Sequence, residues 1–268
     1  MSVFRRQDIG VDEGERRVWR IDQIKGKEDP MDRGIWATWY DLAGPGKEEY
    51  ISWLHEVHIP QTLSRPGYLW AAHVENIVTE ERQRATRSYY HYTDDPSVPM
   101  GNGYIMLCGA VSPHVFVDPS PAELEARMTA EAREMLGRRI AARSCIFVEV
   151  ARVDGPEVSQ RGPGITPGPA FELGSFNINA LENEEEVSTW YARSRLPRMT
   201  KMPGCIGVRK LVSIAGWAKH GILYEFVSLE AIEKYFTRDP SEWSQQVIKN
   251  LVHAPGSPSI GKRLWPPA

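Results

Sequence analysis

The feature that most narrows what this chain can fold into is an internal repeat. Glu49–Glu75 (EYISWLHEVHIPQTLSRPGYLWAAHVE) aligns without a gap on Glu186–Val212 (EVSTWYARSRLPRMTKMPGCIGVRKLV) at an offset of 137. Trp53 meets Trp190, Pro60 meets Pro197, Pro66 meets Pro203 and Gly67 meets Gly204. The shared pattern W-x6-P-x5-P-G rests on residue types that chance supplies least readily, and a repeat must be found before any other structural reading. Upstream, Ile35–Asp41 falls over Glu172–Ile178 at the same offset. Downstream, Gly103–Leu107 resembles Gly221–Glu225 at an offset of 118, so the first copy carries 19 more residues, between Asn76 and Asn102. The chain then divides into an N-terminal arm (1–33), a first repeat (34–154) with a long insert between its second and third strands (76–102), a Gly/Pro linker (155–170) and a second repeat (171–268). The arm is charged, with helical patterning near Arg16–Ile24.

Each copy reads strand, helix, strand, strand, helix, strand. Strand 1 is Gly34–Asp41, with Phe171–Asn179 as its counterpart. Tyr50, Trp53, Leu54 and Val57 recur at i, i+3, i+4, i+7, the buried stripe of a helix over Lys47–Ile59. Pro60 is expected to end it, since proline cannot continue the hydrogen-bond ladder. Pro66-Gly67 turns the chain into strand 2, Tyr68–Glu75, and strand 3 covers Tyr104–Val111. Ser120-Pro121-Ala122-Glu123 is a capping box opening helix 2, with Leu124, Met128 and Met135 on its buried face. Strand 4 is Cys145–Val153. In the second copy helix 2 reads as two pieces, Leu229–Phe236 and one starting at Asp239-Pro240-Ser241-Glu242, and the last strand as Ile260–Trp265. A βαββαβ unit is the ferredoxin-like split motif. The expected fold class is α+β, two tandem ferredoxin-like repeats packing sheet against sheet into an α+β barrel around a shared cavity.

Composition excludes several functions. The formal net charge of −3 argues against an electrostatic nucleic-acid or anionic-membrane binder. No stretch approaches 18 apolar residues, and Met1–Arg20 lacks the apolar core of a secretory leader. Cys108, Cys145 and Cys205 are odd in number and far apart, which reads as reduced thiols. A cytoplasmic protein is expected. Nucleotide-binding glycine loops, the G-x-S-x-G elbow, CxxC and HExxH are all missing from the sequence.

His58-Ile59-Pro60 followed by Arg65-Pro66-Gly67-Tyr68 resembles the motif of EthD-like proteins in the dimeric α+β barrel superfamily, where a helix ends in His-(Ile/Leu)-Pro and a Pro-Gly-aromatic turn leads into strand 2. Tyr224-Glu225-Phe226 with Ser228-Leu229-Glu230-Ala231 resembles that family's third strand and second helix. The resemblance covers Gly34–Glu75 and Phe171–Phe236. It implies the barrel fold and a range of chemistries: polyketide cyclases, muconolactone-type isomerases, cofactor-free quinone-forming monooxygenases and haem enzymes. Family members usually pair two chains to close the barrel; here the second copy supplies that half, and a homodimer stays open. The first copy keeps the family's histidine, His58, whereas the second has Arg195 in its place.

His58 is the leading catalytic candidate, as neutral imidazole is the usual general base near pH 7; the alternative is that it caps the helix end. His55, three residues earlier, is either half of an H-x-x-H metal pair without a readable third ligand, hence no metal, or a solvated side chain. In the second copy Ser175 and Asn177 share one face of strand 1 and Gly174, Phe176 and Ile178 the other. The 137 offset then puts Trp36, Thr38 and Tyr40 on the cavity face, with Tyr40 as a second catalytic candidate. Strand 2 adds Tyr68 and Trp70, and Tyr224 joins them from strand 3. Arg209 either binds a carboxylate or developing enolate or is a surface charge, the reading favoured here; Arg195 carries the same two readings. The aromatic run Ser88–Tyr92 in the insert is either a lid or a packing hairpin. The function expected is a small-molecule enzyme of lyase or isomerase type, cyclase-like, acting on an apolar aromatic or polyketide-like compound through His58 without a cofactor. The alternatives are a non-catalytic binding or assembly protein, a cofactor-free monooxygenase, or a haem protein.

Overall fold

The structure is a computed structural model that describes residues 32–77, 89–161, 166–237 and 239–267. The arm's helical patterning, residues 78–88 of the insert and the middle of the linker lie outside the described residues. The body begins at Asp32.

The strands are β1 (Gly34–Asp41), β2 (Tyr68–Asn76), β3 (His91–Tyr92), β4 (Tyr104–Ala110), β5 (Ile140–Asp154), β6 (Ala170–Ile178), β7 (Cys205–Ala215), β8 (His220–Phe226), β9 (Leu251–His253) and β10 (Ser259–Trp265). The hydrogen-bonded order β10-β2-β4-β1-β5-β7-β8-β6 returns to β10 and closes an eight-stranded antiparallel barrel. The two fourth strands make the closure. β5 pairs with β1 and then with β7, and β10 pairs with β6 and with β2, so each half's last strand reaches the other half's second strand. That double duty explains why β5 runs from Ile140 to Asp154, longer than the expected Cys145–Val153. Closure leaves no edge in the ring. β3 adds to the outside by pairing in parallel with β9.

Helices pack on the outer face. In the first half α1 (Lys47–Trp53) runs through a π turn (Leu54–His58) into α2 (Ile59–Leu63). Pro60 therefore does not end the helix. The wide turn lets the Ile59 N–H reach the Leu54 carbonyl, and Pro60, which has no N–H to place, enters at the start of α2. The second half repeats the device at the 137 offset: α5 (Glu184–Trp190), a π turn (Tyr191–Arg195) and α6 (Leu196–Met199), with Pro197 in its first turn. The capping box at Ser120 forms as read. The helix it opens, α3 (Pro121–Ala126), stops early because Thr129 caps a new one, α4 (Ala130–Gly137), with its side chain accepting from Ala132 N–H. Of the three residues read onto that helix's buried face, only Met135 is fully buried. The second half is likewise divided, into α7 (Leu229–Tyr235) and α8 (Glu242–Lys249).

In place of the expected central cavity, the described residues pack the barrel interior. The barrel interior is filled by Ile35, Ala37, Trp39, Trp70, Ala72, Val74, Leu107, Phe147, Phe171, Leu173 and Leu223 in one cluster. Phe176 and Ile178 face the helices as read, with Ser175 on the inner side, yet Trp36 and Tyr40 also face the helices. The 137 offset therefore fails in strand 1: Thr38 lies opposite Met106, while Tyr224, the counterpart of Met106, lies opposite Glu172 rather than Ser175. Because side chains alternate, an odd error in register exchanges the two faces.

Candidate functional site

With the barrel filled, the open spaces lie between the outer face of the sheet and its helices. The first holds about 320 Å³. Trp36 and Thr38 of β1 and Met106 and Cys108 of β4 contribute to its lining, as do His58, Thr62 and Arg65 around α2 and Leu124, Met128, Leu136 and Arg139 around α3 and α4. The lining is mostly apolar with a few convergent polar groups, the ordinary composition of a small-molecule site.

His58 is carried at the last position of the π turn and stacks on Trp53 at 5.1 Å between centroids. Among the described residues neither of its ring nitrogens has a hydrogen-bond partner. Burial, then the charges of Arg139 and Arg65, push its pKa down to about 3, so the imidazole is neutral at pH 7 with a free lone pair. Arg139 donates from Nε to the Tyr50 hydroxyl at 2.7 Å, and its guanidinium lies 4.5 Å from the centre of the Tyr40 ring. No carboxylate pairs with Arg139 or Arg65 among the described residues. Two more buried polar atoms on this pocket's lining residues, Trp36 Nε1 and Thr62 Oγ1, lack partners. A buried polar group left unmade costs about 1–3 kcal/mol, which a ligand can recover.

Behind the pocket runs a hydrogen-bonded chain that sequence reasoning read differently. His55 Nε2 lies 2.8 Å from His73 Nδ1, and His73 Nε2 lies 2.9 Å from the Tyr40 hydroxyl. His73 is wholly buried beneath the helix, and His55 is bound to it rather than only to solvent. Tyr40 is 0 % exposed and does not line the pocket. Its contact with the site passes through Arg139.

The remaining candidates disperse. Tyr68 packs edge-on against Phe116 at 5.2 Å, beside the pocket rather than on its lining. Trp70 points into the barrel and donates to Asp32 Oδ2 at 2.5 Å. Arg209 is no surface charge: at 1 % exposure it donates to Glu149 at 2.6 Å and to Asp32 at 2.8 Å, with Arg152 completing the network. Burial alone would raise the Asp32 pKa, but Arg209 and Arg152 hold it below its ordinary value. Ser175 is fully buried, its N–H donating to Ser257 Oγ. Asn177 fastens the β7–β8 loop, donating to Trp217 O and accepting from Lys219 N. Tyr224 and Arg195 belong to a second pocket, on the other half, where Arg195 Nε donates to the Tyr224 hydroxyl at 2.9 Å. Sequence reasoning missed Arg139. Its signal was faint, an arginine between helix and strand with no acidic neighbour in sequence, and only the fold brings it to His58.

The fold is that of a ferredoxin-like α+β barrel. The chain superimposes on an anthrone oxidase-like protein with a TM-score of 0.54 at 10% identity, over 88% of this chain and 93% of the other. It superimposes on a protein from Fusobacterium nucleatum, provisionally described as a monooxygenase, with a TM-score of 0.51 at 8% identity, over 87% and 94% of the two chains. At such identities the likeness is one of fold. No family model and no curated protein sequence matches the chain. No helix among the described residues is long and apolar enough to cross a membrane.

Proposed function

We propose that the His58 pocket binds a largely apolar, enolisable or phenolic compound and removes a proton from it, in an EthD-like protein built from two copies of one unit and working in the cytoplasm. The observation that carries this reading is the pairing of a neutral imidazole, unpartnered among the described residues, with two arginines to which no described carboxylate is ion-paired. His58 accepts the proton. Arg139 and Arg65 stabilise the enolate or phenolate left behind, which in a water-poor pocket is worth far more than in solvent. The cations that make the imidazole a weak base make the bound substrate a stronger acid, so proton transfer yields an imidazolium and an anion that attract each other. Trp36 Nε1 and Thr62 Oγ1 supply further contacts to substrate oxygens. Tyr40 and Tyr50 act from behind, orienting Arg139.

Proton abstraction is the shared first step of cyclase, isomerase and lyase chemistry. The likeness to an anthrone oxidase-like protein and to a protein described as a monooxygenase favours a second outcome, reaction of the same carbanion with dioxygen as a cofactor-free monooxygenase. Anthrone, which is enolisable, separates the outcomes: deuterium exchange at its methylene carbon reports proton removal, and oxygen uptake reports oxygenation. His58→Gln is expected to lower the exchange rate by ~10²-fold or more, since a positioned acid–base group is worth about that much. Arg139→Met is expected to lower it as well while leaving the far-ultraviolet spectrum unchanged. An exchange rate in His58→Gln equal to that of the unmodified protein sinks the proposal.

A further inference from the structure

The outer face of the second half carries its own pocket, of about 280 Å³, which shares no lining residue with the His58 pocket. Tyr90, the last residues of the insert being folded against this half, lines it together with Arg195, Tyr224, Phe236 and His253. The described end of the insert is therefore packed against this half: β3 pairs with β9, and the Tyr90 ring lies 4.5 Å from that of His253.

Two features set the chemistry of this space. The first is His253, 3 % exposed. Burial pushes its pKa down to about 4, against the opposing effect of its bond to the His91 backbone. A neutral imidazole has one N–H and one bare acceptor nitrogen. The Nδ1 of His253 is buried and has no partner among the described residues. The second is charge. Glu172, Glu233 and Asp239 line this pocket beside Arg195, whereas Arg65, Arg133 and Arg139 accompany only Glu125 in the first. The Arg195 guanidinium rests 4.9 Å from the centre of the Tyr224 ring and 4.5 Å from that of Phe236. Carboxylates oppose the ionisation of a bound hydroxyl, and Arg195 opposes a cationic ligand.

We propose that this second pocket is a binding site for a neutral hydroxyarene, which donates its hydroxyl hydrogen to the unprotonated ring nitrogen of His253, stacks among the aromatic walls and is held without being ionised. The two halves then differ in what they do to one ligand class: the first removes a proton and the second keeps it. The site stands on residues separate from His58, so it holds or fails independently of the reading of the first pocket.

The test uses 2-naphthol, whose absorbance distinguishes hydroxyl from naphtholate, with 2-methoxynaphthalene as the probe lacking a donor. Titrations are made by calorimetry and absorbance in a His58→Gln background. The expected result is binding of 2-naphthol in its neutral form, weakened about tenfold or more by His253→Phe, which keeps a ring but removes the acceptor. Tyr90→Phe, which keeps the packed ring, is the second variant for folding, and Tyr90→Ala is expected to weaken binding beyond any change seen in Tyr90→Phe. 2-Methoxynaphthalene should bind the His58→Gln protein about tenfold more weakly than 2-naphthol does, and be indifferent to His253→Phe. The proposal is overturned if the two probes bind equally well, if His253→Phe and Tyr90→Ala both leave 2-naphthol affinity unchanged, or if the ligand removed by those variants carries the naphtholate spectrum.

Discussion

Lowering the pH from 7.5 to 4.5 is expected to remove a large part of this protein's stability, through His58 and His253. Both are held neutral in the fold: His58 near 3 by burial and by Arg139 and Arg65, His253 near 4 by burial against its bond to His91. In the unfolded chain each titrates near the ordinary histidine value of about 6.5. Below that value the unfolded chain takes up protons that the folded chain refuses, so the equilibrium moves toward unfolding. The stabilisation is complete above about 6.5 and is lost progressively as pH falls toward the folded values. At pH 4.5 each histidine is about two units below its unfolded value, and at about 1.4 kcal/mol per unit the loss is about 2–3 kcal/mol for each. Together that is on the order of 5 kcal/mol, set against a total of about 5–15 kcal/mol for a typical domain. Urea unfolding at the two pH values, for the unmodified protein, His58→Gln, His253→Gln and the double variant, measures it. Each single variant should show a pH dependence flatter by about 2–3 kcal/mol, whatever its stability at pH 7.5. Equal pH dependence in the unmodified protein and the double variant would refute the reasoning, because the buried neutral imidazoles would then not be the source of acid sensitivity.

Two further perturbations test the framework that holds the site. A methyl group on Gly109 would lie 1.9 Å from Trp70 Cε2, so Gly109→Ala must drive the indole out of the barrel and away from Asp32; a loss of about 3 kcal/mol or more is expected by denaturant unfolding, partly recovered by Trp70→Leu in the same chain. Arg209→Met leaves Asp32 and Glu149 with Arg152 as the cation still bound to both and is expected to cost about 3–5 kcal/mol, while the anthrone exchange rate stays within twofold of normal in the fraction that folds.

Much of the architecture was legible without coordinates. The W-x6-P-x5-P-G repeat, the stripe through Tyr50 and Val57 and the Ser120 capping box are local signals, and local signals survive translation into structure because they depend on neighbours a few residues away. What failed was parity and continuity. Pro60 reads as a stop, but a π turn absorbed it. The offset of 137 holds through the helix and β2 and breaks in β1, and that shift moved Trp36, Thr38 and Tyr40 from the imagined interior to the helix side. Of the candidates named, His58, Trp36 and Thr38 meet in one pocket; Tyr224 lines the other; Tyr40 and His55 stand behind the first in the chain through His73; Tyr68, Trp70, Ser175, Asn177 and Arg209 do structural work elsewhere.

Sequence by itself determined the α+β barrel class and the two related helices that carry a histidine, His58, in one and an arginine, Arg195, at the matching place in the other. Tertiary structure alone decided that the interior is full, that β5 and β10 exchange between halves, and that Arg139 and His253, distant in sequence from His58 and Arg195, complete two pockets of opposite charge. The physical reason is range. Periodicity and turn chemistry act over a few residues, whereas the field at an imidazole and the partner of a buried nitrogen are set by whichever strands and helices closure of the barrel brings alongside.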